Sequence, residues 1–317
     1  MESLKILITG VTGFIGSNVA SHLANENHEI YGLTRNEGYN WRLADQKDRI
    51  RLVRSDVSSY EKTYSAFEDI KPDGIINCSQ YGAYPTEKCN RAMFHTNIEG
   101  LYNILDIGAK FNASWLINCG TSFEYAGSKE NIGESVPSNP NSYYGVFKSM
   151  GTNMLDVYSK MVNTKLMTLR IFQAYGPLES KGRLVPYLLY NLFNNLDIHL
   201  NNPYLERDFT YIRDISGAFS DAIRAMDSLE KHETINIGTG TYTSIQEFAN
   251  TGKNIIDSSS QITLGNETAK PEDRINRIVA DVTKAKTLLK WIPKFQVSEG
   301  IKDFAMWLKD RLDYYKV

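Results

Sequence analysis

The stretch KILITGVTGFIGSNVA, residues 5 to 20, constrains this chain more than any other. A short run of apolar and β-branched residues leads at once into glycines at 10, 13 and 16, and then into an amphipathic helical pattern. In that setting each glycine has a physical task. Gly10 permits a tight turn, Gly13 lets backbone N–H groups approach a pyrophosphate at a helix N-terminus, and Gly16 lets the helix lie close to the strand. Because the spacing is GxxGxxG and not GxGxxG, the strand before it and the helix after it carry the reading.

The same rhythm continues through the first half. EIYGLT, IRLVRSDV, GIINCS, SWLINCG and LMTLRIF alternate with helical patterns from about residue 14, near 59–70, near 87–110 and from 142. Alternation of this kind predicts an α/β fold: a doubly wound parallel (Rossmann) sheet covered on both faces, with right-handed crossovers. IINCS (75–79) and LINCG (116–120) read as two parallel strands ending at the carboxyl edge, where such sheets bind ligands. After Phe172 the rhythm is broken by Pro177, Gly182, Pro186 and Pro203, and RDFTYIRDISGAFSDAIRAM (207–226) restores a strand and a helix. The expected organisation is a nucleotide domain over 1–172 and 207–238, with a smaller α/β substrate domain over 173–206 and 239–317.

Composition removes other classes. With 35 basic against 37 acidic residues in 317, no global field draws nucleic acid or an anionic membrane. The N-terminal MESLKILITG lacks the long apolar run of a signal peptide or membrane helix, so a cytoplasmic chain is expected. Cys78, Cys89 and Cys119 show neither CxxC spacing nor an accompanying His cluster, which argues against a metal site or a disulfide framework.

The end of the second strand discriminates between dinucleotides. An Asp or Glu there would accept the ribose 2′-hydroxyl of NAD, but YGLTRNEG offers Thr34 and Arg35 and no acid before Glu37. Arg35 suits a 2′-phosphate, so NADP(H) is favoured, with NAD the alternative. Asp56, closing the third strand, offers an acceptor to an adenine amino group.

Three tyrosines precede a lysine by four residues: Tyr84/Lys88, Tyr125/Lys129 and Tyr144/Lys148. Pro85 forces Tyr84 toward an extended backbone, and the AGSK after Tyr125 reads as loop. Only Tyr144 enters a continuous helical pattern, which places it one turn from Lys148 on the same face, with Tyr143 about 100° away. A neighbouring ammonium is expected to lower the phenol's pKa toward the range useful for moving a carbinol proton during hydride transfer. NCGTSFEYAG places hydroxyls at Thr121 and Ser122 on the carboxyl edge, either of them able to bond a substrate oxygen.

With glycine loop, strand-end hydroxyls and Tyr–Lys helix in this order, the chain resembles the extended short-chain dehydrogenase/reductases that modify nucleotide sugars. RIFQAYGP (170–177) resembles that family's Arg-x-x-Asn-x-Tyr-Gly-Pro motif, with Gln173 for Asn. ERDFTYIRDI (206–215) and PEDRINRIVADVTKAKTLLKWIPK (271–294) resemble two further motifs, so the likeness covers nearly the whole chain. The resemblance implies that Thr121, Tyr144 and Lys148 are the catalytic set. It implies that Gly10, Thr12, Gly13, Phe14, Ile15, Gly16, Arg35, Asp56, Val57, Ser79 and Asn97, with Tyr144 and Lys148, address the cofactor. Ser122, Gln173, Arg207 and Arg274 would then meet a nucleotide-diphosphate sugar, and Leu184 to Pro186, Val185 included, would wall its base. A homodimer through the helices near 87–110 and 142–162 is also implied.

Family members divide among 4,6-dehydratases, epimerases and ketoreductases. Dehydratases follow the active-site Thr with Asp and Glu; here Ser122 and Phe123 stand there and Glu124 comes one place late, which argues against dehydration. Arg35 then favours NADPH-dependent reduction of a 4-keto-6-deoxy nucleotide sugar, with NAD-dependent C4 epimerisation as the alternative and a non-catalytic sensor as a third reading.

Overall fold

A computed structural model describes residues 2–35, 41–84, 86–125, 131–229, 232–265 and 277–316. Its first half runs β1 (Lys5–Thr9), α1 (Phe14–Asn25), β2 (Glu29–Thr34), β3 (Ile50–Arg54), α2 (Tyr60–Ile70), β4 (Gly74–Asn77), α3 (Asn90–Phe94), α4 (Gly100–Lys110), β5 (Trp115–Thr121), α5 (Tyr143–Tyr158) and β6 (Lys165–Ile171). The helix expected near 87–110 starts at Asn90, and a π-helical turn, His95–Glu99, joins α3 to α4.

The second half runs β7 (Gln173–Tyr175), α6 (Leu184–Phe193), β8 (Ile198–Leu200), β9 (Glu206–Arg207), β10 (Phe209–Tyr211), α7 (Ile212–Ala225), β11 (Glu233–Ile237), β12 (Thr243–Ser244), α8 (Ile245–Ile256), β13 (Ile262–Leu264), β14 (Arg277–Ile278) and α9 (Val297–Lys309). Seven strands form one parallel sheet in the order β11-β6-β5-β4-β1-β2-β3. The strand restored near 209 does not join it. It pairs with β7, and β11 takes the place beside β6.

The strands are apolar on both faces because both faces are covered. Ile6, Ile8, Ile76, Ile117, Met167 and Leu169 pack with α1 and α7, whereas Leu7, Ile75, Leu116 and Leu166 pack with Phe67 of α2, Ile104 of α4 and Leu155 of α5. The first of these cores continues into the C-terminal region through Tyr175, Phe209, Tyr211 and Phe248. Each fully buried Ile or Leu contributes roughly 1.5–3 kcal/mol, against roughly 0.5–1.5 for a typical hydrogen bond, so these layers and not individual polar contacts fix the carboxyl edge.

Candidate active site

A cavity of about 530 Å³ lies at that edge. Gly10, Thr12, Gly13, Phe14, Ile15 and Gly16 form one flank, continued by Arg35, Asp56, Val57 and Ser79; Thr121, Tyr144 and Gln173 belong to the same wall. The glycine loop is built as its spacing predicts. Gly10 has φ +64°, and a Cβ there would lie 2.5 Å from the backbone of Cys78, so turn and packing both demand glycine. The Gly13 amide donates to Gly10 O at 2.9 Å, and α1 begins at the next residue, its first residues Phe14, Ile15 and Gly16 lining the cavity. This cradle fits the pyrophosphate of a dinucleotide. Arg35 is exposed at the end of β2, and Asp56 Oδ1 receives the Ser58 amide at 3.0 Å.

Tyr144 enters the cavity from the first turn of α5. Ser142 caps that helix, its Oγ accepting from Gly145 N at 3.1 Å. Gly145 has no side chain for good reason: a Cβ would lie 2.5 Å from the Phe123 carbonyl, in the turn that follows β5. The helix therefore sits directly on the strand-end turn that carries Thr121. Of the two candidate hydroxyls, Thr121 lines the cavity, whereas Ser122 is buried outside its wall.

The Tyr144 hydroxyl donates to Gln80 Oε1 at 2.8 Å, and Lys148, 5% exposed, donates from Nζ to Cys119 O at 2.7 Å. Burial and then the nearby Cys119 push the phenol above its ordinary pKa, while Arg183 and a hydrogen bond with Thr121 pull the other way. This corrects the expectation that Lys148 leaves the phenol lowered. Loss of hydration outweighs the pull of Arg183 and of the Thr121 hydrogen bond, and the Lys148 ammonium is turned to Cys119 O.

Glu124, the acid that comes one place late after Thr121, is turned away from the cavity. It is fully buried, pairs with Arg170 Nε at 2.8 Å, and accepts from Thr152 Oγ1 at 2.8 Å and from Thr121 N at 3.0 Å. Burial alone would lower the Arg170 pKa, but the Glu124 carboxylate more than offsets it and the net direction is up. Glu124 holds the turn together from behind and is not part of the cavity wall.

Other expected residues stand elsewhere. Asn97 is not in the cavity wall, because the π-helical turn directs its amide to the backbone of Tyr81, with bonds of 2.9 Å to its N and O. Val185 is 1% exposed within the core and Leu184 packs against that core, so α6 presents both inward. Arg207, half-buried on β9, donates to Glu206 O at 2.9 Å. Arg274 lies outside the described residues.

Sequence reasoning missed Gln80, Tyr84, Glu179 and Arg183, all in the cavity wall. Tyr84, which the sequence reads out of a helical pair, ends an irregular stretch over residues 81–84. Its hydroxyl lies 2.7 Å from Ser180 Oγ, and its ring faces Arg183 at 5.1 Å. None of the four belongs to a periodic pattern, so only three-dimensional placement singles them out.

A parallel sheet with a glycine loop at its first crossover and a Thr–Tyr–Lys constellation at the carboxyl edge defines a dinucleotide-dependent enzyme of the extended short-chain type. The profile of the NAD dependent epimerase/dehydratase family matches residues 6–238, and the chain belongs to that family. It is 25% identical to UDP-glucuronate 4-epimerase of Thermodesulfobacterium geofontis over 98% of each chain. The fold is shared with UDP-glucose 4-epimerase of Thermotoga maritima with UDP-glucose, at 21% identity and a TM-score of 0.88 over 98% of this chain and 100% of that one. It is also shared with a UDP-glucuronic acid 4-epimerase variant of Bacillus cereus in complex with a fluorinated UDP-sugar and NAD, at 22% identity and a TM-score of 0.84 over 97% and 99%. Among the described residues, no helix is long and apolar enough to cross a membrane.

Proposed function

We propose that the chain interconverts the C4 epimers of a nucleotide-diphosphate sugar. The observation that carries this reading is the placement of Tyr144 and Thr121 in the wall of the cavity that the glycine loop also lines, with Glu124 of the β5 turn withdrawn into its pair with Arg170. The curated relatives that match end to end as C4 epimerases support it over reduction.

A bound nicotinamide supplies the acceptor and donor of the hydride at C4. Tyr144 moves the proton on the C4 oxygen, protonated in the form that serves a carbonyl and deprotonated in the form that serves a carbinol. Lys148, one helical turn along, supports the phenolate, and Thr121 positions the sugar oxygen. We assign the glycine loop, Asp56, Val57 and Ser79 to the dinucleotide. Gln173, Arg207 and Arg274 are assigned to the sugar's diphosphate, and Leu184 and Val185 to the ground beneath its base.

A second reading, NADPH-dependent reduction of a 4-keto sugar, is favoured by Arg35 alone, which lines the cavity where a ribose 2′-phosphate would sit. Incubation of the purified chain with UDP-glucose and UDP-glucuronate separates the two. Epimerisation yields the 4-epimer without added reductant and keeps deuterium placed at C4; NADPH oxidation by a keto sugar without any epimer formed would reverse the assignment.

Two copies are proposed to pair through α3–α4 and α5. Val146, Met150, Val157 and Met161 run exposed along one side of α5 and its end, beside Phe94 and Tyr102. Light scattering of the purified chain, with Val157→Asp as comparator, reads the mass directly.

A further inference from the structure

Residues 177–183, between β7 and α6, are clamped over the glycine loop. Asn18 Nδ2 donates to Pro177 O at 3.1 Å. The Arg42 guanidinium donates to Leu178 O at 2.7 Å, to Thr12 O at 3.3 Å and to Ser180 Oγ at 2.8 Å, so one side chain ties the glycine loop to this segment. From outside, the Tyr315 hydroxyl donates to Glu179 O at 2.8 Å.

Within the clamp Glu179 is 4% exposed and forms part of the cavity wall, and its Oε2 is sealed from solvent with no hydrogen-bond partner. An ionised oxygen in that position is among the costliest groups a fold can hold, unless it is neutral or a ligand completes it. Arg183 from the start of α6 and Arg42 from residues 41–46 draw the group toward its charged form, and Tyr315 and Tyr84 stand around the same segment. Burial outweighs these cations and pushes the carboxyl up to about 8.

We propose that Glu179 is a binding residue for a diphosphate, entering the complex as a carboxylic acid that donates a hydrogen bond to a phosphate oxygen held near the glycine loop. The inference rests on the nucleotide-sugar reading for the identity of the ligand. Two molecules carry the required chemistry, the dinucleotide and the sugar nucleotide. When the free carboxylate is ionised, one proton passes from the buffer acid to its oxygen on binding, leaving the buffer base; apart from that O–H bond only hydrogen bonds change.

Calorimetric titration at pH 8.5 in two buffers of different ionisation enthalpy counts that proton. NAD and UDP are the probes, because a phosphate with its second pKa near 6 is already fully ionised there. Uptake approaching about one proton is expected for at least one probe, with affinity falling roughly tenfold per pH unit above the free carboxyl's pKa. Uptake with NAD alone assigns Glu179 to the dinucleotide, and uptake with UDP alone to the sugar nucleotide. Glu179→Gln keeps a donor and should bind within about threefold of the parent at pH 7 with no uptake at pH 8.5. Binding without uptake by the parent chain for every probe that binds, or uptake that persists in Glu179→Gln, overturns this inference alone. Failure of both probes to bind the parent chain overturns the proposed function and this inference with it.

Discussion

Two buried glutamates, Glu124 behind the cavity wall and Glu179 within it, are handled in opposite ways. Behind the β5 turn, Glu124 has Arg170, Thr152 and the Thr121 amide on its two oxygens. In the segment after β7, Glu179 keeps one oxygen without a partner. Burial is the same in both places, so burial does not mark a functional carboxyl. The difference is whether the protein itself completes the group. A carboxylate fully answered from within holds the scaffold, and one left incomplete on a cavity wall awaits something from outside.

The sharpest division between chemistry and scaffold comes from the residue that Glu124 serves indirectly. Tyr144→Phe should lower turnover by roughly 10²- to 10⁴-fold while dinucleotide affinity, measured by fluorescence titration, is largely kept. A variant that retains parental turnover removes Tyr144 from the mechanism. Glu124→Ala should act on the fold instead. Leaving Arg170 buried and uncompensated costs about 3–5 kcal/mol, visible in denaturant unfolding as a lower midpoint. A midpoint unchanged within error would mean that the pair is not what secures the turn.

On the other side the sign is reversed. Glu179 has its folded pKa raised to about 8 from an ordinary 4.5. The folded chain therefore binds more protons than the unfolded chain between those values. Its contribution is fully present below the unfolded pKa and is lost as pH rises through the folded one. Glu179→Gln without ligand should thus gain stability over the parent at pH 8 relative to pH 5, by on the order of a few kcal/mol, in paired thermal melts. Equal pH profiles would place the two glutamates in the same category after all. The smallest effect concerns the cofactor flank. The ketoreductase reading predicts that Arg35→Ala weakens NADP binding by about tenfold with NAD binding within twofold, whereas equal effects on both leave C4 epimerisation alone.

Much of the fold was legible because the residues that set it are periodic. β1, β4, β5 and β6 are apolar on both faces, and α1 follows its glycine loop as a strand–turn–helix unit must. Tyr144 and Lys148 were legible because a helical turn is a local object. The strands of two or three residues, β7, β9, β10 and β12 among them, carry too few positions for a period to show. The phenol's pKa was not legible either. Four-residue spacing gives the direction of a neighbouring charge, but the depth of burial depends on how a distant segment closes over the site. Glu179 illustrates the same limit: its sequence context, GPLES, reads as an ordinary turn, and only contacts from Arg42 and Tyr315 make it a wall.

The contact between Gly145 and the Phe123 carbonyl has a mechanical consequence. With no side chain between them, the backbone of the helix bearing the phenol packs directly against the turn bearing Thr121. The spacing between the two groups is therefore set by a backbone contact and not by the rotamer of an intervening side chain. Displacements of about 1 Å at a reacting centre cost on the order of a hundredfold in rate. The missing methyl at Gly145 thus acts as a gauge block for the reaction.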